Sequence, residues 1–391
     1  MSEEAHVRNG NAGDGEARFM ERALRLARRG LGAVSPNPPV GAVAVCGGVV
    51  IGEGWHRRFG GPHAEADLVA RLSAGAGRGA DLYVTLEPCA HFGKTPPCTV
   101  AIREAGFARV FYAVADPHPV TRGKGPKELR RAGVQVARGL LEEPVRFLLA
   151  PYLKGVLCGL PLVTAKWAMS FDGRVATRSG DARWISDDRA RAYTRRERST
   201  YDAILVGRGT VALDDPDLTT RTPRRRNPTR VVLDSRARLS PQCRLLLSAR
   251  ETPVWVFVSA RALASQAAVA RRARGLERCG ARVFPIPAGV DGLDLPATLA
   301  ELGRQGVRHL LVEGGPTVQG SFFDGGLIDR VQVVVGPRLI GGADAPGPVG
   351  GVGHLRMAGA PVFDGFTVKR VGESLVLSGV LTPAGYGHPA P

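Results

Sequence analysis

Three potential metal ligands, His63, Cys89 and Cys98, place the strongest constraint on how this 391-residue chain can fold. One imidazole and two thiolates can hold a tetrahedral zinc ion and leave its fourth position open for water. His63 stands at the predicted start of a helix, and the Pro88-Cys89 pair follows a predicted strand into another helix. Ligands this far apart in sequence require a fold in which the ends of several strands and helices converge.

Glu65, two residues after His63, indicates the chemistry of this site. Zinc lowers the pKa of a bound water toward neutrality, and a nearby carboxylate can move protons without occupying the metal. His-x-Glu followed by Pro-Cys-x-x-Cys is the signature of zinc deaminases. This chain departs from the signature because eight residues, not two, separate Cys89 from Cys98. The motif predicts a hydrolytic deaminase of an amino-substituted heterocycle, with Lys94 added beside the pocket by the longer loop.

Two other interpretations of these residues stay open at the level of sequence. His63 can be an ordinary surface histidine and the two cysteines core residues, although the order of the motif favours zinc. The site can also be a non-catalytic zinc module, which is usually closed by four protein ligands. Here three are apparent, and His91 is a potential fourth. The remaining cysteines lack this context and are expected to be reduced, small buried residues.

Alternating strands and helices organise both halves of the chain. In the first half we predict helices over 19–29, 64–72 and 99–105, and strands over 40–45, 49–54, 81–86 and 109–115. The order β-β-α-β-α-β favours a layered α/β domain, assigned to residues 17–150. A connecting segment after Leu141 then leads to a second α/β domain, assigned to residues 151–385. Its predicted strands cover 162–167, 203–206, 230–233, 254–258, 309–313 and 330–335.

The charge of +17 and the pI near 10.5 raise the question of a nucleic-acid partner. The excess is mostly arginine spread along the chain, and the arginine tracts lack the interleaved aromatic residues that single-strand binding uses. An arginine-rich solvated surface therefore fits better, with some arginines serving phosphorylated small molecules. Residues 31–52 carry no charge, but Pro36, Pro38 and Pro39 argue against a membrane helix. We expect a soluble cytoplasmic protein without a membrane partner.

Further motifs, in a fixed order over roughly residues 17–375, resemble those of the bifunctional riboflavin-biosynthesis deaminase-reductases. In the first half they are PNPPVG (36–41), HAE (63–65), TLEPC (85–89), TPPC (95–98), DP (116–117) and GKG (123–125). In the second half they are Lys166, SFDGR (170–174), WIS (184–186), DAILVG (202–207), GT (209–210), DDP (214–216), Leu218, LDS (233–235) and VEGGPT (312–317).

The resemblance implies two consecutive reactions and two folds. A cytidine-deaminase-like α/β/α domain with Zn²⁺ would deaminate a diaminohydroxy-phosphoribosylamino-pyrimidine. A dihydrofolate-reductase-like α/β domain would then use NADPH to reduce the ribosyl group of the product to ribityl. The resemblance also implies a homo-oligomer. Hydride transfer by the second half does not follow from composition.

The resemblance also implies roles for individual residues. His63, Cys89 and Cys98 would hold zinc, and Glu65 would be the proton shuttle. The expected deaminase substrate contacts are Asn37, His56, Lys94 and His118, where the family usually has Asn in place of His118. The expected reductase substrate contacts are Lys166, Trp184, Arg198, Asp215, Leu218, Arg221 and Glu313. The expected NADPH contacts are Thr210, Ser235, Gly314, Gly315 and Thr317.

A competing function is deamination of a nucleic-acid base, for example in transfer RNA. Such an enzyme shares the zinc chemistry and would suit the basic charge. It leaves the second half of the chain unexplained, and the long loop between Cys89 and Cys98 is atypical for it. A further possibility is that one half is degenerate. The first half has all its ligands and Glu65, whereas the reductase motifs are weaker.

Overall fold

The computed structural model describes residues 14–93, 96–222, 225–289 and 292–382. They form two compact units, divided between Gly159 and Leu160. This division lies nine residues after the boundary predicted at residue 150. The connecting segment expected after Leu141 is a helix, Glu142–Cys158, that continues through Pro151. Its buried residues Val145, Leu149 and Leu153 are spaced by four, so apolar packing holds the helix despite the proline.

Five α-helices and five strands form the framework of the described part of the first unit. The helices are α1 Asp14–Ala27, α2 Ala64–Val69, α3 Cys98–Ala105, α4 Lys124–Arg131 and α5 Glu142–Cys158. The strands are β1 Gly41–Cys46, β2 Val49–Trp55, β3 Asp81–Leu86, β4 Arg109–Val114 and β5 Gln135–Arg138. They form one sheet in the order β2-β1-β3-β4-β5. The β1 strand pairs antiparallel with β2 and β3, and β3, β4 and β5 run parallel.

The core of the first unit explains why α1 lies close to the sheet. Met20, Ala23, Leu24 and Ala27 are buried, as their spacing predicts. A Cβ atom at Gly41 would lie 2.1 Å from the carbonyl oxygen of Ala23, so only glycine permits this approach between β1 and α1. The start of α2 is also held close to the sheet, because a Cβ atom at Gly54 on β2 would lie 2.3 Å from the carbonyl oxygen of Ala64.

The second unit is built around a long mixed sheet. Its strands are β6 Leu162–Met169, β7 Ala203–Gly207, β8 Thr229–Leu233, β9 Val254–Ser259, β10 Arg282–Ile286, β11 Ala288–Gly289, β12 Gly292–Leu293, β13 His309–Val312, β14 Arg330–Val335, β15 Val362–Val371 and β16 Ser374–Thr382. Its helices are α6 Asp188–Glu197, α7 Arg208–Asp214, α8 Arg244–Leu247, α9 Ala260–Ser265, α10 Ala267–Arg278, α11 Leu295–Arg304 and α12 Pro316–Asp324. The six predicted strands are all present.

The sheet has the order β10-β9-β8-β7-β13-β6-β14-β16-β15, and β11 and β12 form a separate hairpin. The strands from β10 to β14 run parallel, and β16 and β15 add antiparallel pairs. Insertion of β13 between β7 and β6 reverses the strand order at the centre. Ligands of open parallel sheets bind where the carboxyl ends of the strands meet such a reversal.

The structure tests the expected burial of the cysteines and the expected lack of a membrane helix. Cys243 is buried as expected, but Cys46 and Cys158 are exposed. The reason is their position, since Cys46 borders the β1–β2 turn and Cys158 ends α5. No helix in the described part of the chain has the length and apolar character needed to cross a membrane.

Candidate zinc centre and reductase cavity

The ends of three elements bring the predicted zinc ligands together. His63 precedes the first residue of α2, Cys98 is the first residue of α3, and Cys89 follows β3. The Nδ1 atom of His63 lies 3.5 Å from Sγ of Cys89 and 3.3 Å from Sγ of Cys98. Tetrahedral zinc with ordinary bond lengths separates its nitrogen and sulfur ligands by about 3.6 Å. The donor set and its spacing therefore fit zinc.

The ligand group has three members, whose donor atoms lie within 4.8 Å of one another. Among the described residues no fourth His, Cys, Asp or Glu joins them, and His91 is outside the group. A tetrahedral ion held here would keep one position for solvent. The contact with Cys98, with His63 nearby, lowers the pKa of Cys89 to about 4, so one thiolate forms readily at neutral pH.

Glu65 lies in the first turn of α2 and is almost completely buried. Burial raises the pKa of its carboxyl to about 7, and the charge of Cys89 adds to the effect. A carboxyl with a pKa near the working pH can both accept and return a proton. The helix start thus places a proton carrier two residues from a metal ligand.

Asn37 and His56 form a pair beside the zinc ligands. The Nδ1–H of His56 donates to the carbonyl oxygen of Pro62 at 2.8 Å, which leaves Nε2 to accept from the Asn37 amide at 3.4 Å. Burial lowers the pKa of His56 and favours this neutral form. Its ring stands edge-on to that of His63, with 5.5 Å between the centroids. Two predicted substrate contacts therefore border the metal site.

The other two predicted deaminase contacts have different outcomes. His118 lies in a turn, where its Nδ1 accepts from the backbone N–H of Val120 at 3.3 Å and its own N–H donates to Asp116 at 2.9 Å. The structure gives it these local bonds, and its role toward substrate stays a prediction. Lys94 lies outside the described residues.

A close contact fixes the loop that carries Cys89. A Cβ atom at Gly125, in the first turn of α4, would lie 1.8 Å from the carbonyl oxygen of Pro88. Glycine is therefore required where α4 packs against the residue preceding this ligand. The GKG motif indicated a family feature at 123–125, but the contact itself has no sequence signal.

In the second unit a cavity of about 1090 Å³ opens at the carboxyl ends of the parallel strands. Seven of the predicted reductase residues line it: Lys166, Thr210, Ser235, Glu313, Gly314, Gly315 and Thr317. Gly315 caps the nine-residue helix α12. Free backbone N–H groups at such a helix start attract phosphate. The volume is at the upper end of ordinary ligand sites, which suits a cofactor and a substrate together.

Glu313, the residue after β13, is the centre of a buried charge network. Its Oε2 atom lies 2.8 Å from Nη2 of Arg198 and 3.8 Å from Nζ of Lys166. Burial alone would favour the neutral carboxyl, but Arg198 and Lys166 outweigh it and lower the pKa of Glu313 to about 2. Arg198 also donates to the carbonyl oxygen of Thr219 at 3.0 Å. It thus joins the cavity wall to the loop that follows α7.

The remaining predicted reductase contacts do not line this cavity. Asp215, Leu218 and Arg221 all have left-handed backbone, with φ of 40°, 56° and 50°. Three such non-glycine residues in one loop mark a strained segment, a feature common at functional sites. The side chain of Leu218 is buried in the core, while Trp184 is exposed beneath the guanidinium of Arg191 at 4.3 Å. Their roles stay predictions.

Sequence reasoning missed Gln319. It is fully buried on α12, and its Nε2 donates to the carbonyl oxygens of Lys166 at 3.1 Å and Val312 at 3.0 Å. It thereby ties together the strands that carry Lys166 and Glu313. Glutamine in a helix usually indicates a solvated position, so only the fold reveals this contact.

Asp172 also has a wider role than the turn that contains it. Its carboxylate accepts from the hydroxyl of Ser170 at 2.6 Å and from the backbone N–H groups of Ile340 at 3.0 Å and Gly341 at 2.7 Å. It therefore fastens the turn after β6 to the segment after β14.

Comparison with known proteins agrees with both sites. The sequence profile of the cytidine and deoxycytidylate deaminase zinc-binding region matches residues 14–114, and that of the RibD C-terminal domain matches residues 161–376. A zinc-binding deaminase domain followed by a reductase domain defines the class as a bifunctional deaminase-reductase.

Full-length relatives identify the family. The riboflavin biosynthesis protein RibD of Bacillus amyloliquefaciens is 38% identical over 366 residues, covering 93% of this chain and 96% of the relative. The Escherichia coli protein of that name is 37% identical over 372 residues, covering 92% and 97%. The chain therefore belongs to the RibD family and is a bifunctional deaminase and reductase of riboflavin biosynthesis.

Solved structures extend the similarity to the fold. An Acinetobacter baumannii RibD structure has a TM-score of 0.82 at 33% identity, covering 94% of this chain and 99% of that one. A Thermotoga maritima diaminohydroxyphosphoribosylaminopyrimidine deaminase/5-amino-6-(5-phosphoribosylamino)uracil reductase has a TM-score of 0.80 at 34% identity, covering 94% and 99%. The predicted fold class is confirmed: a cytidine-deaminase-like domain and a dihydrofolate-reductase-like domain, both α/β.

Proposed function

We propose that the first unit hydrolytically deaminates a diaminohydroxy-phosphoribosylamino-pyrimidine and that the second reduces the ribosyl group of the product with NADPH. The Thermotoga maritima relative is named for this pair of activities. The observation that carries the proposal is the gathering of His63, Cys89 and Cys98 within 4.8 Å, next to buried Glu65. Nucleic-acid deamination is the weaker candidate, because it leaves the reductase unit without a purpose.

In the deaminase unit, each side chain has a separate task. His63, Cys89 and Cys98 would hold zinc, which when bound activates water for attack on the ring carbon bearing the amine. Glu65 takes the proton from that water on its carboxylate and returns it to the leaving amine, which departs as ammonia. Its pKa near 7 suits both directions of transfer.

Asn37 and His56 border the space where the heterocycle would lie. With Nε2 of His56 engaged as an acceptor, the second N–H of the Asn37 amide remains to donate to a ring substituent. The Asn37 side chain is only half-buried, whereas His56 is held behind it by Pro62. Asn37 therefore binds the substrate and His56 positions Asn37.

In the reductase unit, the cavity divides between cofactor and substrate. Gly314, Gly315 and Thr317 at the start of α12 would bind a phosphate group of NADPH, and Thr210 in the first turn of α7 and Ser235 after β8 line the same cavity. NADPH supplies the hydride when bound. Lys166 and Glu313 line the same cavity as a charged pair and would hold the sugar of the substrate.

We further propose that the chain forms a homo-oligomer in the cytoplasm. Strand β15 is the edge of the sheet, and apolar side chains are exposed along it: Val362 at 73%, Phe366 at 65% and Val368 at 56%. Exposed apolar edge strands are sites of pairing with another chain. Sedimentation of wild type beside a Phe366→Asp variant tests the assembly. A monomeric mass for wild type would contradict the oligomer, and equal masses for the two proteins would contradict pairing through β15.

Glu65→Gln tests the deaminase assignment, because amide and carboxyl have the same shape but only the carboxyl carries the proton. We expect zinc to remain at one per chain while ammonia release falls about 100-fold or more. NADPH oxidation with the deaminated intermediate should be unchanged in the same variant. Wild-type ammonia release by the variant would indicate a non-catalytic zinc module. A wild-type protein that oxidised no NADPH with the intermediate would refute the reductase assignment.

A further inference from the structure

The pairing between β6 and β13 ends one residue before the charged pair of the reductase cavity. Its last pair is Ala165 opposite Val312. Lys166 and Glu313 are the next residues on the two strands, so they stand opposite each other just beyond the ladder. Residues in this relation project to the same face of a sheet, and Nζ of Lys166 lies 3.8 Å from Oε2 of Glu313. The spacing of the two strand ends therefore sets the spacing of the two charges.

The side chain of Gln319, on α12, bridges these strand ends. Its Nε2 donates to the carbonyl oxygen of Lys166 at 3.1 Å and to that of Val312 at 3.0 Å. An amide nitrogen carries two N–H donors, and both are used here. Because the side chain is fully buried, water does not compete for these bonds. One amide thus holds β6 and β13 together at the point where their ladder ends.

Packing alone does not account for a glutamine at this position. Fully buried helix positions are usually occupied by apolar side chains. The Oε1 atom of Gln319 is also buried, and it accepts no hydrogen bond from the residues that the structure describes. A buried acceptor without a partner destabilises the folded state. The amide is therefore better explained by the two strand ends that it joins.

The two partners of Glu313 differ in how they are held. Arg198 bonds directly to its Oε2 atom at 2.8 Å, whereas Lys166 stands 3.8 Å from the same atom. If the strand ends separated, Glu313 would keep its bond to Arg198 and lose the longer contact with Lys166. The contact between Lys166 and Glu313 is therefore the one that depends on the bridge.

We propose that Gln319 is a positioning residue of the reductase, which holds the ends of β6 and β13 at the spacing that keeps Lys166 and Glu313 in contact. This rests on the proposed function, in which that pair holds the sugar of the substrate. Gln319 is not among the residues that line the cavity, so it acts through the two strands.

Gln319→Met tests the proposal, because methionine is unbranched and fills similar space without donating hydrogen bonds. We expect kcat for NADPH oxidation with the deaminated intermediate to fall about tenfold or more. The Kd for NADPH and the rate of ammonia release should match wild type. Phe322→Leu is the matched control, because Phe322 is fully buried on the same helix but has no hydrogen-bonding group. It should lower the Tm and leave kcat unchanged.

Titration of Lys166 by ¹⁵N NMR of lysine-labelled protein separates positioning from a general loss of stability. Burial lowers the pKa of Lys166, and the charge of Glu313 raises it. Moving Glu313 away should therefore lower the pKa of Lys166 further in Gln319→Met, and the alkaline limit of NADPH oxidation should move to lower pH. Phe322→Leu should change neither. The Lys166 resonance is assigned by its loss in Lys166→Arg.

A wild-type pKa of Lys166 or a wild-type kcat in Gln319→Met would overturn the proposal, as would an equal loss of kcat in Phe322→Leu. If wild type oxidises no NADPH with the intermediate, the proposed function fails instead, and the NMR titration then decides the role of Gln319 by itself. Gln319→Asn repeats the test should Gln319→Met not fold, since its amide is one methylene shorter and cannot reach both carbonyl oxygens.

Discussion

Two buried ionisable residues of the reductase unit differ in charge: one is ionised and the other is neutral. Glu313 stays charged because Arg198 and Lys166 compensate for its burial. His309 stays neutral because burial, with the charge of Arg330, lowers its pKa to about 3. Its Nε2 bonds to the hydroxyl of Thr164 at 3.0 Å. The surroundings of these two residues therefore affect how the free energy of unfolding depends on pH.

We predict that acid destabilises the fold through His309. In the unfolded chain the imidazole takes up a proton below pH 6.5, whereas the folded protein resists protonation down to about pH 3. The free energy of unfolding contributed by this residue is thus complete above pH 6.5 and falls by about 1.4 kcal/mol per pH unit below it. Urea unfolding at pH 7, 6 and 5 measures the slope.

His309→Gln is the control for this prediction, because an amide can still bond to Thr164 but does not titrate. Between pH 6.5 and 4.5 the free energy of unfolding of this variant should fall less steeply with decreasing pH than that of wild type. The difference should be about 1.4 kcal/mol per pH unit, which corresponds to one proton. Glu313, whose pKa is about 2 when folded, contributes only below its ordinary value of 4.5, so the two residues are separated by pH. Identical slopes for wild type and variant would contradict the assignment.

At the scale of elements, close packing between a helix and a loop prepares the zinc site. Helix α4 touches the carbonyl oxygen of Pro88 at Gly125, and Pro88 leads directly to Cys89. A helix that supplies none of the three ligands thereby fixes the position of a thiolate. Supporting contacts of this kind affect metal affinity in many sites.

We predict that Gly125→Ala weakens zinc binding about 10–100-fold. The added methyl would lie 1.8 Å from the carbonyl oxygen of Pro88, so the loop before Cys89 must move. Competition with a chelator measures the affinity, and NADPH oxidation should be unaffected. Gly275→Ala makes the same change inside α10, where the nearest atom is 3.8 Å away, and should bind zinc like wild type. Wild-type affinity in Gly125→Ala would show that the loop does not depend on α4.

The buried strands could be predicted from the sequence, and the exposed elements could not. The strands β6, β7, β8, β9, β13 and β14 were predicted because they are short apolar runs in the core. Strand β15 was missed because all but its last residue are exposed, and α4 because its sequence KGPKELRR has no apolar period. The zinc ligands were predicted from residue type and order. The buried ion pair between Arg198 and Glu313 was not, since the two residues are 115 positions apart in the sequence.

At the scale of the whole molecule, each unit has its own hydrophobic core. One core runs from Phe19 to Leu153, and the others belong to residues beyond Gly159. The two candidate sites are also divided, because the three residues that could hold zinc lie in the first unit and the reductase cavity lies in the second. Each ligand should therefore stabilise only the unit that binds it.

We predict two thermal transitions that respond to different ligands. Removing zinc with a chelator should lower only the deaminase transition, because the metal binds only folded His63, Cys89 and Cys98. NADPH at about 100 times its Kd should stabilise only the reductase unit, by about 2.7 kcal/mol, which raises its Tm by about 5–10 °C. Calorimetry of the full chain measures both, with Cys98→Ser as a zinc-free control that leaves the NADPH shift intact. A single transition moved by either ligand would mean that the two cores unfold as one.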